Sequence, residues 1–151
     1  MKERIIDGLQ RVKLDKYFQP KQVYSFDLVD KPKPDPDIYL KAIEDNNLIK
    51  AETIIIEDSA VGVTAGVKAG IKVIGFTAGG HWFPHRSQQE LLDAGADLII
   101  DNYTALLDLC LTYPDVNFIE CRMQHSKNTH SLLWTVLKHI IVRNMITESA
   151  M

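Results

Sequence analysis

The chain has 151 residues, enough for one domain with a buried core. Lys and Arg total 17 against 20 Asp and Glu, and a net charge of −3 with scattered basic residues excludes a nucleic-acid footprint. No apolar run is long enough to span a bilayer, and Cys110 and Cys121 lack CxxC or metal-ligand spacing, so they read as idle thiols in a reducing cytoplasm. Ile5, Ile6, Leu9 and Val12 recur at helical spacing and predict a helix over residues 3–15. Its charged opening does not have the form of a signal peptide. Residues 22–29 alternate apolar and polar side chains, which predicts a short strand. Residues 31–36 hold Pro32, Pro34 and Pro36 and form a rigid loop. Asp35 is placed to cap a helix with Pro36 at its first position, running to about Asn46. The β-branched run at 53–57 predicts a buried strand, and 60–69 a helix ended by Gly70. A strand follows at 72–76. Ser87 to Glu90 form a capping-box pattern for a short helix that stops at Gly95. Residues 97–100 read as a strand and 104–111 as a last short helix. Strands alternating with helices make this an α/β chain with a parallel sheet.

Composition shifts after Pro114. This divides the chain into a core at 1–112 and a tail at 113–151. Residues 117–130 read as polar and irregular. Residues 131–146 carry apolar side chains on nearly every side, Trp134 among them. They predict a helix that must bury against something but is too short to cross a membrane.

The chemistry concentrates at Glu57 and Asp58, two adjacent carboxylates at the end of an apolar strand with a helix directly after. Open α/β folds place their sites at the carboxyl ends of strands. Neighbouring acids there make an oxygen site for a hard cation such as Mg2+. The same acids also read as caps of the following helix, facing its dipole. His81 and His85, on either side of Trp82, read as part of a solvated loop. His125, His130 and His139 have no ligand spacing.

Two segments together narrow the reading: Lys33-Pro34-Asp35-Pro36-Asp37-Ile38-Tyr39-Leu40, and Ile56-Glu57-Asp58-Ser59-Ala60-Val61-Gly62 with Ala65-Gly66 and Ala69-Gly70 after it. In this register the pair resembles motifs III and IV of the haloacid-dehalogenase (HAD) superfamily. The branch it most resembles contains the phosphoglycolate phosphatases and β-phosphoglucomutases. The resemblance runs from about residue 2 to residue 111. It implies a partial Rossmann-like parallel sheet with flanking helices, and Mg2+-dependent phosphoryl transfer on small phosphorylated metabolites. By the same resemblance Lys33 stabilises the phosphate, with Lys31 the runner-up for that role. Glu57 and Asp58 would hold Mg2+, and Ser59 would support the site or cap the helix.

The family's mechanism also needs a strand ending in Asp-x-Asp-Gly-Thr, which supplies the nucleophile, and a second strand ending in Ser or Thr. Neither pattern occurs in the 151 residues, and the substrate-selecting cap is missing too. Asp7, and Asp27 with Asp30, stand near apolar residues but lack the spacing. The expectation is a C-terminal part of a HAD phosphatase, inactive alone. The alternatives are a non-catalytic α/β association module or one half of a split enzyme. In the family the nucleophile strand sits in the middle of the sheet, so its loss leaves the 53–57 strand with a bare apolar edge. Three repairs are expected: a shift of the 22–29 strand, strands from another chain, or cover by the tail helix. A homodimer with the tail helix at its interface, or a strand-complementing partner, is the favoured outcome.

Overall fold

The computed structural model describes residues 2–11, 13–79, 82–83, 85–112 and 117–120. Helix α1 (Lys2–Arg11) leads through short turns to α2 (Asp37–Asp45). Strand β1 (Thr53–Glu57), helix α3 (Ala60–Lys68) and strand β2 (Lys72–Phe76) form a βαβ unit. Helix α4 (Gln89–Asp93), strand β3 (Leu98–Ile100), helix α5 (Tyr103–Thr112) and strand β4 (Asn117–Glu120) complete the described chain. The sheet order is β3-β2-β1-β4, and every pairing is parallel. The tail helix expected at 131–146, with Trp134 and the tail histidines, lies outside the described residues, as do His81 and Cys121.

Both faces of the sheet are covered, which is why β1 reads as an unbroken apolar run rather than an alternating one. Ile54 and Ile56 face one cluster with Ile74, Phe76, Ile100, Tyr103 and Leu106, closed by α5 and the end of α1. Ile55 faces the other, with Tyr39, Val63, Ala65, Val73 and Leu91 from α2, α3, β2 and α4. Phe76 and Tyr103 meet edge to face at 5.1 Å. Gly66 lets α3 lie on the sheet, since a Cβ there would stand 2.6 Å from Val73 Cγ2.

Four helices end in the same way. Lys13, Asn47, Gly70 and Gly95 adopt positive φ after α1, α2, α3 and α4. In each case the next residue's amide reaches five residues back, as in Leu14 N to Leu9 O at 2.8 Å and Ala96 N to Leu91 O at 2.9 Å. This is the Schellman closure, which satisfies carbonyls left over at a helix end. It stops α1 at Arg11, four residues short of the expected end.

Several expectations are corrected. No strand forms at 22–29; the segment holds 3-10 turns at Pro20–Gln22 and Phe26–Leu28. Its alternation is present, because Val23 and Ser25 are buried. However, the Ser25 hydroxyl turns onto Asp27 Oδ1, and Leu28 N donates to Ser25 O, which spends the segment's polar groups locally. Pro36, not Asp35, stands at the cap position of α2. The Ser87–Glu90 capping box does not close, because Arg86 holds the Glu90 carboxylate through a 2.6 Å bond from Nε. Strand β3 begins one residue late, because Asp97 clips onto Val73 with its amide and its carboxylate, each at 2.8 Å.

A tail segment other than the helix expected to cover it meets the open edge of β1. Asn117–Glu120, read from sequence as irregular, lies parallel to β1 with Thr53 opposite Asn117 and Ile56 opposite Glu120.

Candidate active site

Lys33 sits in the proline-bounded loop before α2, and its peptide bond to Pro34 is cis. A hydrogen bond donated by the Asp35 amide to Pro32 O at 3.1 Å folds the loop back, and the amides of Tyr39 and Leu40 donate to Pro36 O to start α2. The loop thus delivers the Lys33 side chain, from 24 residues upstream, to the carboxyl end of β1. Its ammonium meets Glu57 Oε1 at 2.5 Å. The two residues that carried most of the sequence argument are in contact.

Glu57 is 1% exposed, and both of its oxygens are engaged. Besides Lys33, Oε1 accepts from the Tyr39 hydroxyl at 3.0 Å. Oε2 accepts from the Ser59 amide at 3.1 Å and the Ser59 hydroxyl at 2.8 Å. A buried carboxylate is tolerated when it is paired and hydrogen-bonded in this way. The Tyr39 ring also lies 4.8 Å from the Lys33 ammonium, within cation–π range. Ser59 is the N-cap of α3: its hydroxyl oxygen accepts from the Gly62 amide at 3.2 Å while its proton goes to Glu57. Asp58, the next residue, is also buried. Lys31 is exposed at the start of the loop.

Gly62 and Tyr39 are site residues to which the sequence reading gave no role. An added Cβ at Gly62 would lie 2.0 Å from the Glu57 carboxyl carbon, so the first turn of α3 holds this carboxylate only because residue 62 has no side chain. The signal lay in the spacing: Gly62 falls five residues after Glu57, on the turn the Ser59 cap creates. Tyr39 stood inside the Lys33–Leu40 segment, where nothing in its spacing marked it as a partner of Glu57.

Mg2+ is bound through one or two carboxylates together with water and phosphate oxygens. The adjacent Glu57 and Asp58 at a strand end fit that donor set. Among the described residues no group of three or more His, Cys, Asp or Glu is arranged to hold a metal. His85 is exposed. Its neighbour Arg86 stacks on Trp82 at 3.9 Å and pairs with Glu90, and Gln88 donates to Thr77 Oγ1 at 3.0 Å beyond β2. Asp7, Asp27 and Asp30 are all exposed.

The model of the haloacid dehalogenase-like hydrolase family matches residues 1–76, half of the chain and all of the site just described. The chain belongs to this family. A phosphorylated carbohydrates phosphatase of Thermotoga maritima is 41% identical over 69 residues, which cover 46% of this chain and 31% of that protein. A bifunctional riboflavin kinase/FMN phosphatase of Arabidopsis thaliana is 40% identical over 85 residues, 56% of this chain and 20% of that protein. Among solved structures, a haloacid dehalogenase-like protein of unknown function from Agrobacterium tumefaciens is 34% identical with a TM-score of 0.65. That match covers 73% of this chain and 50% of that one. A HAD family hydrolase from Deinococcus radiodurans shares the fold, with a TM-score of 0.68 at 23% identity, over 79% of this chain and 52% of that one. This HAD chain therefore spans at most about a third of these two curated relatives and half of the solved structures. No helix among its described residues is long and apolar enough to cross a membrane.

Proposed function

We propose that these 151 residues carry the phosphate- and Mg2+-holding half of a HAD phosphoryl-transfer centre acting on small phosphorylated metabolites. We further propose that alone they turn over no substrate. The observation that carries this reading is the 2.5 Å contact between Lys33 and Glu57, which joins the two family motifs in one buried network. Lys33 presents a cation to the oxygens of a transferring phosphoryl group. Asp58, with Glu57, would hold Mg2+, which when bound offsets the charge of two anions brought together. Ser59 and Tyr39 fix the Glu57 carboxylate, and Gly62 leaves room for it. The relatives named for phosphorylated carbohydrates and FMN support a small phosphorylated metabolite as the substrate class. Two cysteines without a pairing pattern support a reducing, cytoplasmic setting.

The covalent step needs an aspartate nucleophile in an Asp-x-Asp-Gly-Thr setting, and this sequence contains none. Purified chain incubated with Mg2+ and p-nitrophenyl phosphate should release no nitrophenol above buffer. Mg2+-dependent turnover that disappears in Asp58→Ala would overturn the inactivity. Added Mg2+ should still raise the melting temperature by mass action, and Asp58→Asn should abolish the rise.

A second reading is a non-catalytic α/β association module. It is favoured by β4, which pairs with β1 where the family resemblance implies a nucleophile-bearing strand. A melting temperature indifferent to Mg2+ would support this module. A rise in turnover on adding a polypeptide that carries Asp-x-Asp-Gly-Thr would support a split enzyme instead.

A further inference from the structure

The inference rests on the phosphoryl-transfer reading above and concerns how its two binding positions are linked. Four donors converge on Glu57: Lys33 and Tyr39 on Oε1, and the Ser59 amide and hydroxyl on Oε2. A carboxylate offers about four acceptor directions. A cation can therefore reach Glu57 only if a donor leaves. The Ser59 groups are fixed by the start of α3, and Tyr39 is locked in the core at 2% exposure. Lys33 is the donor able to move, since its ammonium stands on a flexible stem and its side chain is 20% exposed. It is also the donor that a divalent cation repels. From the other side, a phosphate that draws the ammonium toward itself lengthens the Lys33–Glu57 contact and opens Oε1.

We infer that the Lys33–Glu57 ion pair is a shared latch: a divalent cation at Glu57 and Asp58 and a phosphate group at Lys33 must each open it, so each binds more tightly when the other is present. Linkage makes the effect reciprocal, with the same factor in both directions. The latch also makes a less obvious demand. Removing the lysine should strengthen cation binding in the absence of phosphate, because the acceptor direction of Oε1 that Lys33 occupies is then open.

Isothermal titration of the full chain with Mg2+, with and without inorganic phosphate, measures the factor. It is expected to be roughly tenfold, within the usual range for coupled sites. Direct attraction between Mg2+ and phosphate contributes as well, so the variants decide. In Lys33→Met, Mg2+ alone should bind several-fold tighter than in the wild type, and phosphate should no longer tighten it. Lys31→Met removes the same charge two residues earlier and should leave Mg2+ affinity within about twofold, because a surface charge acts only weakly through solvent. Glu57→Gln keeps the side-chain shape and removes the charge that pairs with Lys33, so phosphate alone should bind tighter than to the wild type.

The latch is overturned if folded Lys33→Met binds Mg2+ no tighter than the wild type, or if Lys31→Met tightens it equally. Should Lys33→Met fail to fold, Glu57→Gln decides, and unchanged or weaker phosphate binding overturns the latch. Failure of the parent reading has a different signature. If the wild type shows no saturable Mg2+ binding, or binding indifferent to Asp58→Asn, the metal site itself falls and the latch with it.

Discussion

Gly62 and Gly8 are both helical glycines, and their surroundings give opposite expectations for the same substitution. At Gly62 the new methyl group would stand 2.0 Å from the Glu57 carboxylate, and the network around that carboxylate would have to move. Gly62→Ala should cost about 1–3 kcal/mol or more, as overpacking does. At Gly8, in exposed α1, a Cβ meets nothing within 4 Å. Gly8→Ala should stabilise by up to about 1 kcal/mol through helix propensity alone. Thermal unfolding of the two variants checks both signs. A second residue-scale prediction concerns protons. The hydrogen bond from Ser25 holds the Asp27 carboxyl below its usual range. The folded value lies below the unfolded one, so the contribution is present above a pH of about 4 and is lost as pH falls through the folded value. Ser25→Ala should return Asp27 toward its ordinary range in a carboxyl NMR titration. An unchanged titration would mean that the hydroxyl does not hold the charge.

At the scale of elements, the helix ends separate what the sequence displays from what it hides. Gly70 and Gly95 announce their left-handed turns, and the helices they end were legible. Lys13 makes the same turn at φ 58 without the residue type that signals it, so α1 was read four residues too long. A side chain in this region costs about 1–2 kcal/mol, which glycine avoids. Lys13→Gly should therefore stabilise the protein by about 0.5–1 kcal/mol, and Gly70→Ala, at φ 72, should destabilise it by about 1 kcal/mol. Chemical denaturation of both variants measures the difference. Strand β1 was legible because Thr53 to Ile56 are four β-branched residues in a row, which suits a strand covered on both faces, and all of them are buried. The Lys33 and Glu57 partnership was legible through the family motifs, whose spacing carries the site. Neither the failed strand at 22–29 nor β4 could be read, for one reason: a strand exists only with a neighbour. Val23 and Ser25 alternate correctly and pair with no strand. Phe118 and Ile119, flanked by polar residues, alternate with nothing and yet pair with β1.

For the whole molecule, the consequence of β4 is that the β1 edge is covered from within the chain. Without it, Thr53 to Ile56 would present an unpaired apolar edge, the kind that recruits other chains. That edge was the physical reason to expect a homodimer. Residues 117–120 now meet it from within the same chain, reached by α5 crossing the sheet face from β3. The strand has only four residues, and its pairing rests on the parallel ladder with β1 and on Ile119 packed against the Ile55 cluster. Two consequences follow for solution behaviour. The intact chain should have a monomeric mass by light scattering at micromolar concentration. Replacing Asn117–Glu120 with Gly-Ser-Gly-Ser lowers strand propensity at four positions and removes the contact of Ile119 with the Ile55 cluster. That variant should gain mass with concentration, as the β1 edge seeks a partner in a second copy. An intact chain that is already dimeric, and stays dimeric at the same affinity after the replacement, would locate the interface away from β1 and remove the covering role assigned to β4.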